Sequence, residues 1–425
     1  MLWYTTLSSG AISRMQNIKW RNSRMKKYIA LLLALVMVFA LAACGSKEET
    51  PAPAGSEEAA APAEATGDVK VAMITDYGDI TDQSFNQTTY EACKAFCEKN
   101  AVDFKYYKPT DDSTAARVEM IDQAIAEGYN VVVMPGYAFA GAIVETQDLY
   151  PDVKFVALDV SEYDIFSSFY KDGDMEGELI DPSNEPHVSS NVFSAVYQEE
   201  LCGYMAGVAA VKLGYTKLGF LGGMAVPAVI RYGSGFVQGA NAAAEELGTD
   251  IEINSVYGGQ FYGDGDITAA MDTWYQGGTE VVFACGGGIF TSAGEAAAKV
   301  GGKVIGVDVD QAATIDGMYG EGMTVTSAMK GLAATVDTLL GEIVAGNFAD
   351  YGGQIQNLGL VGEDPELNYV QIPMESTQWS DSFTQDDYKA LVAAMFAGDV
   401  EVSNDITALP EVGSHVTLND QGQIK

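Results

Sequence analysis

The chain has 425 residues, 48% of them hydrophobic, with 23 Lys+Arg against 59 Asp+Glu and a formal net charge of −36 at pH 7. That field repels nucleic acid and anionic headgroups, favours solubility, and makes phosphorylated ligands less attractive unless a local pocket overrides it. Residues 68–425, about 358 in number, exceed one typical domain and suit two lobes of ~150 residues each.

Met25-Lys26-Lys27 opens a basic segment, Ile29–Leu41 follows as an apolar run, and Leu41-Ala42-Ala43-Cys44 supplies small residues before a cysteine. This is the layout of a secretory signal peptide ending in a lipobox-like cysteine. The run falls short of the ~20 residues that span a bilayer comfortably. Residues 1–43 are expected to be leader and signal peptide, with Met25 the true start and Met1–Arg24 an over-extension upstream of it. Acylation of Cys44 would anchor the protein at the extracytoplasmic face of the cell membrane. The leader carries six basic residues and no acids, so the chain from Cys44 holds 17 Lys+Arg against 59 Asp+Glu, a charge of −42. Residues 44–67, rich in Ala, Pro, Glu and Ser, cannot bury a core and read as a disordered tether.

Beyond the tether, strand-like and helical segments alternate. Val69–Ile74, Phe104–Tyr107, Val131–Met134, Phe155–Leu158 and Val192–Val196 read as short buried strands, with helices at Phe85–Asn100, Ala115–Glu127 and Gly141–Leu149. The cycle restarts with helix Glu199–Leu213, strand Lys217–Leu221, helix Tyr232–Leu247, strand Glu252–Tyr257, helix Ile267–Gln276, strand Val281–Cys285, helix Ser292–Val300 and strand Lys303–Val307. Such alternation indicates βαβ units on parallel sheets, and two series in succession predict an α/β protein of two doubly wound lobes. Thr324–Ser327 reads as a strand and Ala328–Ala345 as a helix, while Gln354–Leu360 and Tyr369–Ile372 are candidate strands crossing back between the lobes to form a hinge. The expected N-terminal lobe is 68–196 with about 310–350, and the C-terminal lobe 197–309 with about 351–375. The segment 376–425 is expected to pack on both.

Ligands in such sheets collect at the carboxyl ends of strands. Those ends carry Thr75-Asp76, Gly136, Asp159, Gly222-Gly223, Gly286-Gly287 and Asp308. Carboxylates accept pairs of hydrogen bonds and glycines permit close approach. Just after the first strand, Asp82-Gln83-Ser84-Phe85-Asn86-Gln87 opens a helix: Asp82 and Ser84 suit its cap, while Phe85 and Asn86 set an aromatic face beside an amide, which suits a flat ring with a polar edge. Cys93, Cys97, Cys202 and Cys285 lie in apolar surroundings and read as buried small side chains. The two histidines, His187 and His415, belong to no metal-spaced cluster, and neither a phosphate loop nor a nucleophile elbow is present. No catalysis, metal or cofactor is expected.

Together these pieces resemble the basic membrane protein family of ABC-transporter substrate-binding lipoproteins, of the purine-nucleoside-receptor-like kind. The matching segments are Thr75-Asp76, Asp82–Gln87, Phe155–Asp159, Gly286-Gly287, Ile305–Gln311 and Thr326–Lys330, in the family's order. The resemblance implies a type I periplasmic binding protein fold and a nucleoside cargo, with a purine the expected base, delivered to an ABC permease and its ATPase by a monomer. It implies that Phe85 stacks on one face of the base and Phe261 (or Tyr262) on the other. By the same resemblance Asp76, Asn86 and Asp159 meet the base edge, and Asp308 takes the ribose hydroxyls, helped by Lys330, Thr75 and an amide of Gly286 or Gly287. Alternatives at this stage are riboflavin or a sugar on the same fold, or a surface lipoprotein serving sensing or adhesion. Ser161–His187 is a long acidic insertion where the family has a short connection, placed to reach the cleft rim.

Overall fold

The computed structural model describes residues 69–424; the signal segment, Cys44 and the tether lie outside them. Strands β1 (Lys70–Ile74), β2 (Asp103–Tyr107), β3 (Val131–Pro135), β4 (Lys154–Leu158) and β5 (Val192–Tyr197) form the first sheet. The second is built from β6 (Lys217–Gly222), β7 (Ile251–Tyr257), β8 (Val281–Cys285), β9 (Lys303–Asp308) and β10 (Thr324–Lys330). Strands of Val, Ile, Phe and Ala with few polar residues, such as β3 and β8, are buried along their whole length. That is the pattern of a parallel sheet covered by helices on both faces. The spatial order is β5-β4-β3-β1-β2 in one sheet and β10-β9-β8-β6-β7 in the other, the same winding shifted by five strands. Two similar doubly wound lobes are the result. Among the described residues no helix is long and apolar enough to cross a membrane.

After β10 the chain departs from expectation. The strand at Thr324–Ser327 was expected with the N-terminal lobe, and Gln354–Leu360 with the C-terminal one. The pairing is the reverse: β10 runs parallel to β9, and β11 (Gln354–Leu358) runs parallel to β5. Each βαβ series therefore closes on its own fifth strand before the chain leaves the lobe. β10 also extends through Lys330, where a helix was expected to have begun. Met329 and Lys330 pair with the short antiparallel β12 (Val370–Gln371), and Gly331 N–H donates to the Tyr369 carbonyl at 2.7 Å. Those ladder bonds hold the segment extended, and the helix starts at Leu332. An edge strand of eight residues that the sequence pattern did not show, β13 (Val416–Gln423), adds to β7.

The chain crosses between the sheets three times: after β5, after β10 and between β11 and β12. The first crossing leads into helix Glu199–Lys212, which packs along helix Pro227–Leu247 of the second lobe. Both carry glycines four apart. A Cβ on Gly203 would stand 2.3 Å from the Tyr232 carbonyl oxygen, and one on Gly239 would stand 2.0 Å from that of Tyr204. The two backbones touch, so the register between Glu199 on one helix and Arg231 on the other is fixed. Helix Leu332–Val344, after the second crossing, returns to pack on helix Phe85–Asn100 of the first lobe.

The four cysteines of the described part are buried thiols without disulfides. The acidic insertion starts with a short capped helix, Glu162–Ser167, in which Ser161 and Asp164 form a capping box. Ile165 and Phe169 bury themselves in the first lobe, and most of residues 171–187 lie exposed.

Candidate functional site

The carboxyl ends of both sheets face one cavity of about 490 Å³, inside the range of ~300–1,000 Å³ typical of small-molecule sites. Asp76, Phe85, Asn86 and Asp159 line it from the first lobe, and Phe261, Gly286, Gly287, Asp308 and Lys330 from the second. Thr75, the remaining expected site residue, does not line the cavity. It is fully buried, with its hydroxyl 3.3 Å from that of Tyr106.

Asp159 and Asp308 end the fourth strand of their respective lobes, and both adopt left-handed backbone, φ 59° and 64°. Asp tolerates that region better than most side chains. The turn lifts each carboxylate off its strand toward the space between the lobes. Lys330, at the end of β10, joins them. Its ammonium donates to Asp159 Oδ2 and lies 3.6 Å from Asp308 Oδ1 and 3.5 Å from Glu199 Oε1. It also sits 4.8 Å from the centre of the Phe85 ring, a distance at which cation–π attraction operates. Burial alone would lower the Lys330 pKa, but Asp159, Asp308 and Glu199 together raise it, so the side chain stays charged. Asp159 is pushed up to about 6, chiefly by burial, with Glu199 and Asp308 adding to the rise and Lys330 opposing it.

Asp82 caps the helix that begins at Phe85. Its Oδ1 accepts from the Ser84 and Gln87 backbone amides, both at 3.0 Å, and its Oδ2 from the Asn86 amide at 2.9 Å. Ser84, expected to share this task, makes no side-chain cap bond. Its hydroxyl instead donates to Asp308 Oδ2 across the cleft at 2.6 Å. Asp76 Oδ1 accepts from the amides of Tyr77 and Gly78 at 2.7 and 2.8 Å. Burial still raises the Asp76 pKa against those bonds.

The glycines do a task not expected of them. A Cβ on Gly223 would stand 2.4 Å from the Phe261 ring, and one on Gly286 would stand 3.0 Å from it. The strand-end glycines seat the aromatic ring against the sheet. Tyr262, the alternative stacking residue, also lines the cavity but is largely exposed.

Sequence reasoning passed over Glu199 and Arg231. Glu199 is fully buried, and its Oε2 accepts from Arg231 Nε at 2.7 Å. A Glu in the first turn of a helix is ordinary, so nothing local marked it. The apolar run that follows, in a helix buried on nearly every side, was the available signal.

The Bmp family, described as ABC transporter substrate-binding protein PnrA-like, matches residues 69–382. The chain belongs to that family. This Bmp protein is 29% identical over 300 residues to the ABC transporter nucleoside-binding protein BmpA of Lactococcus lactis, covering 67% of this chain and 74% of that one. It is 27% identical over 342 residues to a CD4+ T-cell-stimulating antigen of Listeria innocua, covering 76% and 85%. An ABC transporter solute-binding protein of Aeropyrum pernix shares the fold, with a TM-score of 0.58 at 21% identity over 80% of this chain and 88% of that one. This Bmp protein is a substrate-binding component of an ABC transporter and not an enzyme. Its partners are a small-molecule ligand and the transporter.

Proposed function

We propose that this Bmp protein captures a nucleoside between its lobes and hands it to the permease of an ABC importer. One observation carries the reading. Phe85 and Phe261, from different lobes, line a single cavity with the carboxylates of Asp159 and Asp308 at matching strand ends. Two rings sandwich a flat base, and in nucleic-acid systems such stacking is worth ~1–3 kcal/mol per base. Asp76, Asn86 and Asp159 pair with the base edge. Asp308 accepts from sugar hydroxyls, with Lys330 holding it in place and a Gly286 or Gly287 amide alongside. Thr75 acts from behind, through the end of β1. The relative from Lactococcus, named as nucleoside-binding, supports the same cargo.

Lipid attachment at Cys44 and tethering through residues 44–67 keep the monomeric protein on the extracytoplasmic face of the membrane, within reach of the permease. Native purification followed by mass spectrometry of the released small molecule tests the cargo. A nucleoside mass is expected, and riboflavin or a sugar would contradict the assignment.

A further inference from the structure

The cavity wall presents acceptors whose orientation is fixed from behind. Asp82 Oδ2 takes a hydrogen bond from the Asn86 side-chain nitrogen at 3.1 Å as well as from its backbone amide. An ionised carboxylate only accepts. The amide nitrogen must therefore face Asp82, and Asn86 Oδ1 must face away; the hydrogen-bond network fixes which end is which. Gly78 leaves the amide its room: a Cβ there would lie 2.4 Å from Asn86 Nδ2.

Asn86 Oδ1 is buried, and no donor among the described residues reaches it. Asp159 shows the same arrangement: Lys330 holds Oδ2, while Oδ1 is buried without a donor. Both residues line the cavity. A buried acceptor left unpaired is costly, so each of these oxygens needs an N–H or O–H from whatever fills the site.

Resting on the nucleoside reading, we infer that the site selects its base by hydrogen-bond donors, favouring an edge with adjacent N–H groups, as guanine offers at N1 and its 2-amino group. Hypoxanthine lacks the amino group and leaves one acceptor unpaired. Uracil sets a single N–H between two carbonyl oxygens, whose lone pairs would face Asn86 Oδ1 and the Asp159 carboxylate. Such like-for-like placement is a repulsive element that rejects the wrong ligand. Sites built on polar pairing discriminate strongly against analogues that lack the partner group.

The test is calorimetric titration of purified protein with guanosine, inosine and uridine at pH 7.5. Guanosine should bind roughly tenfold or more tightly than inosine and roughly a hundredfold more tightly than uridine. Inosine or uridine binding as well as guanosine overturns the donor-edge inference while leaving nucleoside capture standing. Failure of all three to bind overturns this inference, and failure of adenosine and cytidine as well overturns the nucleoside reading. Asp82→Asn lets the Asn86 amide turn and should bring the guanosine-to-inosine ratio below roughly threefold. A ratio held at the wild-type value in protein that melts cooperatively overturns the role given to Asp82.

Discussion

The Ser84 hydroxyl donates to Asp308 Oδ2 at 2.6 Å, joining residues 224 positions apart that stand on opposite lobes. The bond exists only while the lobes are together, and it ends on the carboxylate proposed to receive the sugar. Ser84→Ala should leave the helix start intact, because Asp82 supplies the cap. A hydrogen bond to a charged group contributes about 1.5–3 kcal/mol, so ligand affinity should fall roughly tenfold or more. The melting temperature of the ligand-free protein should barely move. Calorimetry and thermal melts on the same preparation separate the two effects.

Asp308 offers a sharper test of the cleft. Its left-handed backbone, φ 64°, suits Asn as well as Asp, so Asp308→Asn removes charge without adding strain. Lys330 keeps Asp159 and Glu199 as partners. Affinity should drop by roughly a hundredfold, about 2.7 kcal/mol, with the fold retained by circular dichroism. An unchanged affinity would remove Asp308 from the site.

Stability should fall as pH rises through the acid range. Asp159 is raised from 3.8 to about 6 and Glu200 from 4.5 to about 7, the latter mainly by burial with Glu199 adding to it. A raised carboxyl pKa means that the folded state binds more protons than the unfolded state between the two values. Each group therefore lowers stability progressively across its window, from about 4 to 6 for Asp159 and from about 4.5 to 7 for Glu200, and the loss is complete above it. Asp159→Asn should remove the lower part of the slope in denaturant melts between pH 4 and 8 (about four units, spanning both windows), and Glu200→Gln the upper part.

The helix pair behind Glu199 and Arg231 depends on bare backbone. Gly239→Ala would place a methyl 2.0 Å from the Tyr204 carbonyl oxygen. Overpacking of this kind costs about 1–3 kcal/mol, occasionally more. Gly265→Ala, at the start of helix Gly265–Gln276 with open space around it, should be neutral or stabilise by about 0.4–1 kcal/mol. Urea unfolding of the two variants side by side checks the contrast.

Most of the architecture was legible because buried parallel strands such as β3 and β8 are written as short apolar runs, while the half-exposed β2 and the alternating β7 were legible through their place in the strand–helix alternation. The strand-end carboxylates followed from the same pattern. What escaped depends on contacts between distant segments. Ser84 looks like a cap residue and is one by position, yet its hydroxyl is claimed by a carboxylate on the other lobe. Lys330 stands where local preference continues into a helix, and only pairing with Val370 holds it extended. β10 and β11 carry no mark of which sheet they join, since either lobe offers an open edge. Glu199 is hidden by its ordinary place in a helix first turn. Its partners, Arg231 and Lys330, lie 32 and 131 residues away.

A crystal structure of the protein with guanosine decides whether a nucleoside occupies the cavity between the lobes. The base is expected between Phe85 and Phe261, with N–H donors on Asn86 Oδ1 and Asp159 Oδ1 and sugar hydroxyls at Asp308. A nucleoside bound elsewhere, or a base lying away from both rings, would contradict this placement.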